Sequence, residues 1–162
     1  MKTLTVWQPW ASLVIEGAKP YEFRSWRPPA SVIGQRIVIH AASRPTKVSE
    51  LSEMLADLEA GGEQAAMTCL HVELAKPIVL RARWNATGLP LASGIGTAIV
   101  GEPRSGPEIA EEFGLTRVND SDRDEHANWG WPMLEIERWD DPIPMRGYQG
   151  LWNWPVPADL AL

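Results

Sequence analysis

The sequence predicts an α+β fold in which a small β-barrel of short strands is flanked by two to four helices. Short extended stretches recur along the 162 residues, but they do not alternate with helices in the rhythm of a doubly wound sheet. A barrel also protects the edges that many short strands would leave unpaired. With 44% hydrophobic and 22% charged residues the chain can bury a core, so we expect residues 1–162 to form a single domain.

The chain begins with a pattern that predicts a strand followed by a helix. Residues 4–6, Leu-Thr-Val, include two β-branched side chains and predict a short strand. Pro9 follows, and proline suits the first turn of a helix because its missing N–H has no partner there. Apolar residues at helical spacing and then Gly17, which suits the left-handed closing position, predict a helix over residues 9–16.

Two strands are predicted after this helix. Over residues 21–26 the sequence alternates, which places Glu22, Arg24 and Trp26 on one face of an extended segment. The apolar run at residues 37–40 has the length of a buried strand.

The rest of the chain mixes helical periodicity with extended stretches. Leucines at helical spacing, followed by two glycines, predict a helix over residues 45–61. The remaining predictions are a third helix over 63–74, extended segments over 78–84, 94–102 and 131–139, a short helix over 108–113, a solvated acidic loop over 118–128, and a final strand within 141–155.

Charge and cysteine usage restrict the function classes. A formal net charge of −6 opposes the long-range attraction on which broad polyanion binders depend, so an extended duplex is not an expected partner. The single Cys69 cannot form an intramolecular disulfide, and the sequence contains no apolar run of roughly 20 residues. We therefore expect a cytoplasmic protein that does not associate with membranes.

The segment at residues 17–24 gathers groups suited to a phosphate and a base. Lys19 lies on the predicted turn between helix and strand, where it offers a point charge or, if desolvated, a basic or nucleophilic amine. Glu22 can orient or deprotonate water, and Arg24 can bind phosphate through two parallel hydrogen bonds. Trp26 can stack on a base. The structural alternative is an ion pair between Glu22 and Arg24 that braces the strand, with Lys19 solvated.

The same segment carries a family resemblance. Its Gly17, Lys19, Glu22 and Arg24 match the Gly-x-Lys-x-x-Glu-x-Arg signature of the ASCH family, and the chain also resembles that family over 4–10, 37–43 and 147–152. The resemblance implies a PUA-like β-barrel with a cleft beside the first helix, and an association with RNA. Some similar members are ribonucleases, and a smaller relative hydrolyses an acylated cytidine with the motif lysine and a threonine where this chain has Glu22.

Further candidates follow from the nine tryptophans and from polar residues near the strand ends. His40 is a candidate general base or phosphate contact, the structural alternative being a hydrogen-bonded core histidine. Cys69 and His71 have no second pair of ligands at a finger-like spacing, which argues against a zinc site, and the acidic run at 120–125 lacks the glycine of a calcium loop. The residues expected to bind ligand beside the motif are Trp7, Gln8, Trp10, Trp26, His40, Ser43, Arg44, Gln149 and Trp152.

Three functions remain open from the sequence. The first is recognition of single-stranded RNA, a nucleotide or a nucleoside. The second is hydrolysis, as a ribonuclease or as an amidohydrolase of a modified nucleoside, with Lys19 and Glu22 as catalytic groups and Arg24 stabilising negative charge. The third is a protein-interaction module anchored by exposed tryptophans. No cofactor is expected, apart from a divalent metal such as Mg²⁺ or Mn²⁺ if the protein is a nuclease.

Overall fold

The computed structural model describes residues 1–118 and 124–155, so part of the predicted acidic loop at 118–128 lies outside the described residues. The strands are β1 (Lys2–Val6), β2 (Tyr21–Arg24), β3 (Arg36–Ala41), β4 (Ser93–Val100), β5 (Arg104–Ser105), β6 (Trp129–Pro144) and β7 (Leu151–Asn153). The helices are α1 (Trp10–Ile15), α2 (Val48–Ala60), α3 (Gly62–Met67), α4 (Val72–Trp84) and α5 (Gly106–Glu112).

The strands form one mixed sheet that curls into a half-barrel. Its order is β2-β6-β4-β3-β1-β7, and β5 pairs with the beginning of β6. The β1–β3 pair is parallel, and the other pairs are antiparallel. This architecture confirms the predicted α+β barrel-type class. Within the described ranges it differs in having five α-helices and a sheet whose end strands, β2 and β7, do not pair with each other.

Three buried clusters hold the helices on the sheet. One lies between α1 and the sheet and includes the fully buried Trp131 of β6. A second joins α1 to α2 and α4, and a third joins β2 to α5. Helix α1 is therefore packed on both sides, which fixes the turn that follows it and the start of β2.

The segment at 78–84 was predicted to be extended, and this prediction is wrong because these residues belong to α4. Ala75, Ile78, Val79 and Ala82 are buried, at the spacing of one helix face, and pack against α2. Pro77 lies inside the helix and hid this periodicity, since proline usually ends a helix.

The predicted helix over 63–74 is also divided. Helix α3 ends at Met67 and α4 begins at Val72. Between them Cys69 has a φ of 53°, a left-handed conformation that interrupts a right-handed helix. The carbonyl of Ala18 accepts a hydrogen bond from the backbone of His71 at 2.8 Å, so this break also ties α4 to the turn after α1.

Candidate functional site

The turn after α1 brings the three charged motif side chains together. Gly17 adopts a φ of 75°, and the backbone N–H of Lys19 donates to the carbonyl of Leu13 at 3.0 Å, which closes the helix. The Nζ of Lys19 then lies 3.9 Å from Glu22 Oε2, and Arg24 Nη2 lies 3.1 Å from Glu22 Oε1. The ion pair of the structural alternative is present, but Lys19 is 1% exposed rather than solvated.

Two cations share one carboxylate in this cluster. Glu22 lies between Lys19 and Arg24 and pairs with both. Arg24 Nη2 also donates to the carbonyl of Thr5 at 2.9 Å, while its buried Nε has no hydrogen-bond partner among the described residues. Arg24 thus places a guanidinium at the cleft-facing side of the cluster, in a chain whose formal net charge is −6.

The cluster borders a wide cleft. The cleft has a volume of about 2000 Å³ and is lined by the ends of β1, β2 and β3, by α2 and α3, and by the end of β6 with the segment 145–150 that follows it. Glu22 and Arg24 line it, whereas Lys19 lies beneath their surface. Pockets for a single drug-sized molecule usually measure 300–1,000 Å³, so the cleft has room for more than one nucleotide.

One rim of the cleft carries an exposed indole on a rigid support. Trp26 follows β2 and is 37% exposed. The buried ring of Trp131 meets it edge to face at a centroid distance of 4.7 Å, and Trp131 Nε1 donates to the carbonyl of Trp26 at 3.2 Å. In β6, Trp131 stands opposite Glu22 in the strand register. A single core residue therefore supports both the stacking ring and the strand that bears the charges.

His40 is buried, and its hydrogen bonds match the structural alternative. Its Nε2 lies 2.8 Å from the carbonyl of Met145, which only accepts, so Nε2 carries the proton. Its Nδ1 then accepts from the Thr5 hydroxyl at 3.4 Å, and Thr5 Oγ1 in turn accepts from Trp152 Nε1 at 3.0 Å. Burial lowers the pKa of His40, which favours this neutral form. The histidine thereby anchors the segment that covers one side of the cleft.

Most of the predicted site residues lie at this cleft. Those that line it are Trp7, Trp10, Glu22, Arg24, Trp26, His40, Ser43, Arg44 and Gln149. Gln8 does not, because its buried amide donates to the carbonyl of Pro90 at 2.9 Å and accepts from the backbone of Ser12 at 3.1 Å. Trp152 packs behind the cleft surface, edge-on to His40 at 5.5 Å.

Sequence reasoning missed two parts of the cleft lining. Arg146 and Tyr148 come from the segment after β6, where the guanidinium lies 6.0 Å from the phenol ring. Glu50, Glu53 and Asp57 make one wall of the cleft acidic. The acidic wall could have been predicted from the sequence, because these three residues recur at the spacing of one helix face within the helix predicted over 45–61.

The described residues also bear on whether the protein binds a metal ion or crosses a membrane. Across 1–118 and 124–155 no group of three or more His, Cys, Asp or Glu side chains is arranged to hold a metal ion. In the same ranges no helix has the length and apolar character needed to cross a bilayer.

Comparison with known proteins agrees with this geometry. The ASCH protein of Zymomonas mobilis has 15% sequence identity and a TM-score of 0.50, with 98% of this chain and 88% of that chain covered. A tyrosine-to-phenylalanine variant of it also has 15% identity and a TM-score of 0.50, covering 95% and 89%. At this identity the likeness is one of fold. No functionally curated protein matches the chain significantly.

The family assignment rests on the sequence. The model of the ASCH domain matches residues 4–87, just over half of the chain, and this span contains the whole cluster of Lys19, Glu22 and Arg24. The half-barrel, the cleft beside α1 and the solved ASCH structures of similar fold are consistent with that match. The chain belongs to the ASCH domain family.

Proposed function

We propose that the cleft recognises single-stranded RNA or a nucleotide-sized piece of it. The observation that carries the proposal is that the guanidinium of Arg24 lines the same cleft as the exposed ring of Trp26. A guanidinium cation attracts a phosphate, and an exposed indole fits the face of a base. The two binding groups of a nucleotide thus have partners only two residues apart on β2 and its extension.

The charge distribution favours a short flexible ligand over a duplex. The chain carries a net charge of −6, and Glu50, Glu53 and Asp57 on α2 face the cleft. A duplex presents phosphates on both strands and would meet this acidic wall at close range. A single strand can direct its phosphates towards Arg24 and its bases towards exposed rings such as that of Trp26.

Replacing Trp26 by alanine is expected to weaken binding of a fluorescein-labelled oligoadenylate by about 1–3 kcal/mol, because one stacking contact is lost. The fold should be retained, since the side chain is 37% exposed. Fluorescence anisotropy measures the affinity. Trp84→Ala is the matched control, because this residue is 80% exposed and lies outside the cleft. Equal losses of affinity in both variants, or no binding by the wild-type protein, would contradict the proposal. A protein-interaction module would then be the better supported function.

Hydrolysis is a second candidate, favoured by a lysine that is 1% exposed and lies 3.9 Å from a carboxylate lining the cleft. Glu22 would take the proton from the attacking water, and Lys19 and Arg24 would stabilise the negative charge that develops. Lys19→Met keeps the apolar stem and removes the charge. It should abolish cleavage of labelled RNA, with Mg²⁺ or Mn²⁺ present or absent, at a temperature where circular dichroism shows that the variant is folded. Cleavage that persists in this variant would assign it to other residues.

A further inference from the structure

A cation contacts the face of the most exposed indole of the cleft. The guanidinium carbon of Arg44 is 4.5 Å from the ring centroid of Trp7, a cation–π contact. Trp7 follows β1, is 55% exposed and lines the cleft together with Arg44. Arg44 therefore covers one face of the ring on which a base would otherwise stack.

The position of Arg44 is fixed by a carboxylate from α2. Arg44 Nη2 lies 2.5 Å from Glu50 Oε1 and Nη1 lies 3.3 Å from Oε2, a bidentate pair in which both side chains are 29% exposed. Glu50 is itself held, because its Oε2 accepts from the backbone N–H of Lys47 at 3.1 Å in the first turn of α2. The guanidinium is thus held by a group that is tied to the backbone.

This pairing changes what Arg44 can offer a ligand. The hydrogen bonds between the two side chains lower the pKa of Glu50 and raise the pKa of Arg44, so both remain charged and the pair is neutral overall. A neutral pair attracts a phosphate weakly, and the ends of the guanidinium are directed at Glu50. The N–H groups that bind Glu50 lie at the edge of the guanidinium, so these hydrogen bonds do not cover its faces. Bases stack on arginine planes as they do on aromatic rings.

We propose that Arg44, layered on Trp7 and neutralised by Glu50, is a stacking platform for a base rather than a phosphate contact. Glu50 is then the positioning residue that holds the plane in place. This inference rests on the proposed recognition of single-stranded RNA. It adds a second base position to the cleft that Trp26 also lines.

Arg146 supplies an internal comparison. It is exposed, lines the same cleft and has no carboxylate partner within the part of the chain that the structure describes. Like Arg24, it is therefore a cation of this cleft expected to respond to phosphate and to salt, and its replacement serves as the reference for a phosphate contact.

The test measures the affinity of fluorescein-labelled oligoadenylate over a series of NaCl concentrations. Arg44→Ala and Arg44→Lys should both weaken binding about 5-fold or more, since lysine keeps the charge but lacks the plane. Arg44→Lys keeps the pair with Glu50 neutral and should not change the slope of log affinity against log salt. Arg146→Ala should reduce that slope by about 0.7, the value for one phosphate contact on a single strand. An oligomer with abasic sites in place of the bases should bind wild type and Arg44→Lys equally.

The positioning role of Glu50 has its own readout. Glu50→Gln can still cap α2 through its amide oxygen, but it frees Arg44 to act as an ordinary cation. The slope should then become steeper by about 0.7, and the preference for oligoadenylate over oligouridylate should fall. Glu53→Gln removes the same charge from the same wall without touching Arg44, and it should leave the base preference unchanged.

Three results would overturn the inference. They are full retention of affinity in Arg44→Lys, a loss of affinity in Arg44→Lys for the abasic oligomer equal to its loss for oligoadenylate, and equal effects of Glu50→Gln and Glu53→Gln. Absence of binding by the wild-type protein would instead contradict the proposed function itself, so the two failures are distinguishable.

Discussion

Glu22→Ala is expected to lower the free energy of unfolding by about 3–5 kcal/mol, because a buried carboxylate that pairs with two cations is removed. Glu22 lies 3.9 Å from Lys19 Nζ and 3.1 Å from Arg24 Nη2, and Lys19 is almost completely buried. Without the carboxylate, both cations lose the ion-pair partner that they share. Chemical denaturation followed by circular dichroism measures the change.

The control for this prediction is Glu53→Ala. Glu53 is exposed and lines the same cleft from α2, so its removal should change stability by less than about 0.5 kcal/mol. Similar values for the two variants would show that Glu22 does not hold the cations together. The account of Glu22 as the carboxylate that holds Lys19 and Arg24 together would then be wrong.

Trp131→Ala is expected to cost about 3–5 kcal/mol of stability, because the fully buried indole leaves a cavity between α1 and the sheet. The same variant should weaken binding of oligoadenylate, since Trp26 loses both the ring beneath it and the hydrogen bond to its carbonyl. Denaturation measures the first effect. Anisotropy at a temperature where the variant remains folded measures the second.

Trp84→Ala again provides the comparison, as the same substitution at a residue that is 80% exposed. It should affect neither stability nor binding appreciably. If Trp131→Ala loses stability yet binds as well as wild type once folded, the support that the core gives to Trp26 has no functional role.

The site was predictable where it is encoded by neighbouring residues. Gly17 ends α1, and alternation along β2 places Glu22 and Arg24 on one face, so their proximity follows from local geometry. The burial of Lys19 does not follow locally. It depends on the packing of α1 against β6, α2 and α4, which lie far away in sequence.

Parts of the fold were hidden because single residues disguised the pattern. Pro77 concealed the periodicity of α4, and the sequence predicted 131–139 where β6 extends over Trp129–Pro144. This long strand contains prolines and a positive φ at Glu135, and its pairing with β4 shifts register twice. Such bulges interrupt the alternation by which strands are recognised from sequence.

The far side of the cleft depends on contacts that the sequence does not reveal. His40 accepts from Thr5 and donates to Met145, a residue more than one hundred positions away in the chain. Its apparent suitability as a general base reflected only its place at a strand end. Likewise Gln8, adjacent to the exposed Trp7, turns inward to Pro90.

A crystal structure of the protein with a short oligoadenylate bound tests the central claim most directly. The account predicts a phosphate within hydrogen-bonding distance of Arg24 and a base stacked on Trp26, inside the cleft bordered by α2 and the segment after β6. An oligonucleotide bound on another face, with the cleft empty, would contradict it.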